Sequence, residues 1–173
     1  MRTLLLAVFV ILVVVGFDQA TKFWAVERLT DQPSIEVIGH SVMFSLVYNE
    51  GGAMGTRLGS ANYYLIAAVV ILAMIFVYIW QHRTQMAVVF PLALIAGGAI
   101  GNIIDRLRIG KVVDFIDVDI PDITIGSYHL ERWWTFNIAD AAISCSIVFL
   151  LIYMLFFQHK PTPATTQIEP LSE

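Results

Sequence analysis

The chain has 173 residues, 58% of them hydrophobic and 14% charged, with a formal net charge of −4. Soluble domains run nearer a quarter charged, so this composition, with a mean hydropathy of +0.75, describes a membrane protein whose length is spent on spans. The small, dispersed charge includes no basic run for nucleic acid. A single cysteine, Cys145, excludes a disulfide framework and a thiolate metal cluster and reads as a small packing residue.

Met1-Arg2-Thr3 leads into an uncharged run from Leu4 to Phe17, closed by Asp18. A basic start before a short apolar run also describes a cleavable signal peptide. No small-x-small cleavage site follows, however, and the helical pattern continues through Asp18-Gln19-Ala20-Thr21-Lys22-Phe23-Trp24. Asp18 and Lys22 stand i,i+4 with the acid first, the favourable order on one helical face. Phe23 and Trp24 suit a headgroup layer. A retained first span over about 4–24 is expected. From 30 to 60 the chain turns polar. Residues 35–38 and 41–48 are rich in β-branched and aromatic side chains and are joined through Gly39-His40, the pattern of a hairpin. The segment closes on Tyr48-Asn49-Glu50-Gly51-Gly52-Ala53-Met54-Gly55, whose paired glycines ask for a tight turn or a close backbone approach.

Residues 61–80 carry no charge over the ~20 positions that a spanning helix needs. After the short connection 81–85 comes a third span, 86–105, with Pro91 inside it, which membrane helices tolerate. There Gly97 and Gly101 make a small-xxx-small face for close helix approach. Gly98, Asn102 and Asp105 are placed on the neighbouring row, and Asp105 and Arg106 read as an interfacial ion pair. In the second polar segment, 107–135, the strand-like stretch 111–117 sets Asp114 between apolar neighbours. Asp117, Asp119 and Asp122 do not have calcium-loop spacing and are broken by Pro121, so they read as a solvated acidic loop. Trp133-Trp134 marks an aromatic belt before the last span, 136–157. Phe136-Asn137-Ile138-Ala139-Asp140 opens that span, and Asn137, Asp140 and Ser144 fall on one helical face. A carboxylate at the rim of an apolar helix is costly; it is either a cap or a site whose partner has to be found. The tail, 159–173, rich in Pro, Thr and Glu, is expected to be disordered.

The expected fold is membrane α-helical: four transmembrane helices with a small extramembrane β-sheet, or cradle, between spans one and two. It forms one integral-membrane catalytic domain over 1–158. An even number of spans puts both polar segments on one side and the termini on the other, so Asp114 and Asp140 reach the same membrane face. Two carboxylates held close share a proton and titrate as a pair. Such a pair activates a water as general base while the protonated partner polarises a carbonyl. The chain has no HExxH zinc site and no G-x-S-x-G elbow. Aspartyl hydrolysis is therefore the first chemical reading, with a small membrane transporter or a proton or ion pathway as the alternative. Charge bias leaves orientation open. Arg2, Arg83 and Lys160 face Lys22, Arg28, Arg57, Arg106, Arg108, Lys111 and Arg132 across the membrane. Taken literally, that count puts the polar segments in the cytoplasm, although several of these cations adjoin acids.

Five blocks together resemble the bacterial lipoprotein signal peptidase (signal peptidase II) family: Asp18-Gln19-Ala20-Thr21-Lys22, Asn49-Glu50-Gly51-Gly52-Ala53, residues 97–106, Val112-Val113-Asp114-Phe115 and Phe136-Asn137-Ile138-Ala139-Asp140. They stand in the family's order across residues 18–140. Met54 departs from the aromatic residue usual there. The resemblance implies that Asp114 and Asp140 are the catalytic aspartates. It also implies that Asp18, Lys22, Asn49, Gly51, Asn102, Asp105, Arg106 and Asn137 shape or line the site, and that no metal or organic cofactor is needed. The implied substrate is a lipid-modified prolipoprotein, cut before a diacylglyceryl-cysteine. The implied setting is the bacterial inner membrane, with both termini cytoplasmic, the site at the periplasmic leaflet and membrane lipid around it. Apart from the resemblance, a monomeric chain is expected.

Overall fold

The computed structural model describes residues 1–52, 61–125 and 128–157. The first apolar run folds as helix α1 (Arg2–Leu29), five residues past its expected end. The extension follows from packing, because Ala25 and Leu29 are buried together with Phe115. The hairpin expected next is present as β1 (Ile35–Ile38) and β2 (Val42–Asn49). Helices α2 (Ala61–Gln81) and α3 (Met86–Ile109) follow, then strands β3 (Val112–Ile125) and β4 (Tyr128–Arg132), and helix α4 (Ile138–Phe156). All four helices are long and apolar enough to cross a membrane. Helix α3 stops where Gly110 takes φ 75°, a left-handed C-cap that glycine adopts without steric cost.

The sheet is antiparallel in the order β1-β2-β3-β4, so strands from the second polar segment complete the cradle begun by the first. Val47 pairs with Asp114 and Tyr48 with Val113, which holds both polar segments at one end of the helices. Trp24 seats this sheet on α1. Its ring meets Phe44 edge-on at 5.2 Å between centroids and Phe115 at 6.4 Å. Of the expected headgroup pair, only Phe23 is exposed.

Helix packing sorts the rows of α3 differently from the expectation. A Cβ on Gly97 would lie 2.8 Å from Val14 Cβ, and one on Gly101 would collide with the Asp18 carboxylate, so this row faces α1. A Cβ on Gly98 would lie 2.5 Å from the Ala139 carbonyl, so the next row faces α4. Steps of four residues then assign Asp105 to the α1 row and Asn102 with Arg106 to the α4 row. Asp105 and Arg106 accordingly point apart and do not pair with each other. Away from the sheet, Ala7, Val10, Val14, Ile79, Val89 and Ala93 form an aliphatic core.

Three local readings are corrected. Asp117 and Asp119 belong to β3 rather than a solvated loop, and the Arg132 guanidinium lies 2.8 Å from the first and 3.6 Å from the second. The ladder brings Arg132 opposite Asp119, a pairing that local sequence does not encode. Cys145 and Ser144 are exposed on α4, so neither packs inward nor joins Asp140. The expected disordered tail, 159–173, and residues 53–60 with Met54 lie outside the described residues.

Candidate active site

Beyond β4 the chain turns back alongside β3. The Phe136 carbonyl accepts from the amides of Phe115 (3.1 Å) and Ile116 (2.8 Å), and its own amide donates to the Ile116 carbonyl (3.0 Å). This short pairing delivers Asn137 beside Asp114 at the moment α4 begins. Asn137 is the N-cap. Its side-chain oxygen accepts from the Asp140 amide at 2.9 Å, and the Asp140 carboxylate accepts from the Asn137 amide at 3.3 Å, a reciprocal capping box. Asp140 is thus both a cap and a partnered carboxylate.

Amide orientation around the two acids is fixed by donors that cannot reverse. With Asn137 Oδ1 committed to a backbone N–H, its Nδ2 must turn toward Asp114, and it donates to Asp114 Oδ1 at 2.7 Å. Asn49 repeats the device: Oδ1 accepts from the Gly51 amide at 2.9 Å, and Nδ2 donates to Asp114 Oδ2 at 3.2 Å. Asn102 is fixed from behind by two donors to its Oδ1, the Lys22 ammonium at 2.8 Å and Asn137 Nδ2 at 3.2 Å. Asn102 Nδ2 is left facing Asp140 Oδ1, also at 2.8 Å. Lys22 itself is buried, 2.9 Å from each of Asp18 and Asp105. Asp18 spans to α4 and accepts from the Ala139 amide at 3.0 Å, satisfying one of the free N–H groups of that helix's first turn. Asp105 accepts from the Val113 amide at 3.1 Å and so ties α3 to β3. Arg106 reaches the Gly51 carbonyl at 3.1 Å and holds the loop after β2 against α3.

Every site residue read from the sequence therefore enters one connected network at the sheet end of the bundle. Gln19 also belongs to it, although no role was read for it. Its amide reaches Asp18, the Gly101 carbonyl and Asp105 at 3.1–3.2 Å. Its place between Asp18 and Lys22 in the first motif block was the available signal. Burial and the nearby Asp140 charge push the Asp114 carboxyl up to about 7, against the bonds from Asn49 and Asn137 that favour its ionised form. Among the described residues no group of three His, Cys, Asp or Glu side chains is placed to hold a metal ion. Two carboxylates with scaffold-fixed donors at the sheet end of the helices can polarise a carbonyl and deprotonate a water.

Comparison with known proteins agrees with this architecture. Residues 10–156 match the family described as signal peptidase (SPase) II. The chain is 39% identical over 162 residues to a lipoprotein signal peptidase of Pelodictyon phaeoclathratiforme, covering 90% of this chain and 95% of the relative. It is 35% identical to that of Clostridioides difficile, covering 90% and 99%. A solved structure described as a bacterial membrane enzyme superposes with a TM-score of 0.70 at 30% identity, covering 86% of this chain and 87% of that one. A match running from the first span to the last, with a shared fold, shows that this chain belongs to the signal peptidase II family.

Proposed function

We propose that this protein is an aspartyl endopeptidase that removes the signal peptide from prolipoproteins, with Asp114 and Asp140 as its catalytic pair. The observation that carries the reading is the shared anchor. Asn137 binds Asp114 through its side chain and Asp140 through its backbone and cap, so carboxylates from a strand and a distant helix are held in register. Asp114, whose carboxyl is pushed up to about 7, holds the shared proton and directs it at the scissile carbonyl. Asp140 takes a proton from water as the water oxygen bonds to the carbonyl carbon. The tetrahedral intermediate then collapses: the C–N bond breaks, a proton passes to the leaving nitrogen, and the dyad returns to one proton. The products are a new signal-peptide carboxylate and the free α-amine of the cysteine.

The bond cut lies before a diacylglyceryl-modified cysteine, whose chains remain in the bilayer while the peptide bond meets water at the rim. The termini lie in the cytoplasm and the cradle lies at the outer leaflet of the bacterial inner membrane. Internal pairing of Lys22 and Arg132 with acids supports this orientation, because those cations are neutralised where they stand. An ion pathway would need polar groups across the bilayer. Among the described residues the buried charged groups, Asp18, Lys22, Asp105, Asp114 and Asp117, all belong to the sheet end.

The test is cleavage of a purified diacylglyceryl-modified precursor alongside its unlipidated form. Wild type cuts only the lipidated form, and Asp114→Asn and Asp140→Asn each fold without cutting. Retained activity in either variant overturns the assignment.

A further inference from the structure

A second polar site lies on the faces turned away from the two carboxylates. Side chains alternate along a strand. While Asn49 and Asp114 face the acids, their neighbours Tyr48 and Val113, which pair across the ladder, therefore face the other way. Arg108 follows Arg106 by two helical positions, roughly 200° around α3. Tyr48, Val113 and Arg108 line a groove of about 140 Å³ together with Phe23, Val26 and Ile109, and Lys22 and Asp105 close its inner side.

The charge at the mouth of this groove is one-sided. Deeper in, Lys22 is held at 2.9 Å by both Asp105 and Asp18, so the free cations belong to the rim. Arg108 is exposed, and Lys111 sits 4.3 Å from the centroid of the Tyr48 ring. Among the described residues neither has a carboxylate at ion-pair distance. Two uncompensated cations thus border one groove on a chain whose net charge is −4. Beside them Phe23 (69% exposed), Leu107 (68%) and Ile109 (45%) carry apolar surface that continues onto the lipid-facing sides of α1 and α3.

We propose that this groove binds one anionic glycerophospholipid of the surrounding bilayer, its phosphate between Arg108 and Lys111 and an acyl chain along Phe23, Val26 and Ile109. The unpaired cations select an anionic headgroup over a zwitterionic one. The adjoining apolar wall selects a lipid over a soluble anion. The binding does not depend on which residues perform hydrolysis.

Native mass spectrometry of the full chain tests it, with phosphatidylglycerol, phosphatidylcholine and inorganic phosphate as probes. One phosphatidylglycerol is expected per chain, with phosphatidylcholine bound far more weakly and millimolar phosphate unable to displace the lipid. R108Q/K111Q should weaken phosphatidylglycerol binding by about 25-fold, since each interfacial cation contributes about fivefold. R28Q, which removes an exposed cation outside the groove, should leave it unchanged. I109E keeps both groove cations and should also weaken binding. Equal retention of the two lipids, displacement by phosphate, wild-type affinity in R108Q/K111Q or I109E, or an equal loss in R28Q would each overturn the proposal.

Discussion

Replacing Lys22 by methionine removes the ammonium on which both halves of the polar network depend. Its nitrogen lies 2.9 Å from Asp18 and from Asp105 and 2.8 Å from Asn102 Oδ1, and it is almost fully buried. Breaking a buried ion pair from one side costs about 3–5 kcal/mol, because the remaining charge loses its compensation. Lys22→Met leaves two such carboxylates, so a loss in or above that range is expected from unfolding in detergent. The effect on rate is separate. Without Lys22 only the longer 3.2 Å bond from Asn137 Nδ2 still holds the Asn102 oxygen, so the amide turns toward Asp140 more readily and withdraws a donor from a charged acceptor. Such a bond contributes about 1.5–3 kcal/mol, or roughly 10- to 100-fold in kcat per folded molecule, with KM little changed. Lipidated-precursor kinetics should be measured on Lys22→Met, Asn102→Leu and the double variant. If Lys22 acts through Asn102, the double variant is no slower than Asn102→Leu alone. Strictly multiplicative losses, or a Lys22→Met rate within about twofold of wild type, would refute the relay.

Asn49→Leu removes a bond that favours ionised Asp114, so the carboxyl should keep its proton to higher pH. The alkaline limb of the kcat profile, expected near 7 for the wild-type pair, then moves upward; a limb that stays or falls contradicts the assignment. The same raised pKa has a consequence for stability. The folded chain holds this proton between 3.8 and about 7, where the unfolded chain has released it. That contribution is complete below 3.8 and lost as pH rises through about 7, which pH-dependent unfolding of wild type against Asp114→Asn will show. Gly101→Ala drives a methyl into the Asp18 carboxylate and should cost about 1–3 kcal/mol in unfolding measurements. Gly16→Ala meets nothing within 4 Å and should be neutral or gain about 0.5–1 kcal/mol. Ser146 buries a hydroxyl with no partner among the described residues, so Ser146→Ala should unfold at the same denaturant concentration or higher. A clear loss would reveal a hydrogen bond that the structure does not contain.

Local sequence settled whatever depends on neighbours along the chain. Uncharged runs of spanning length fixed the helices, stretches rich in β-branched and aromatic residues fixed the first hairpin, and the parity of the spans put Asp114 and Asp140 at one membrane face. A capping role for Asp140 was legible as one of the two readings of that carboxylate, because a cap is a contact over three residues. Tertiary structure decided what depends on partners far away. Asp105 joined Lys22 instead of Arg106 because the closeness of α1 and α4, set by glycines, determines which row of α3 meets which helix. Arg132 found Asp117 and Asp119 only through the β3–β4 ladder. Trp24 went beneath the sheet because Phe44 and Phe115 were brought there from two other segments. The amide of Asn102 takes its direction from Lys22 of another helix, a donor that only folding supplies. Periodicity is written into the backbone's own repeat, whereas the orientation of a polar side chain is a choice among partners, and those partners exist only once the helices and sheet have closed around it.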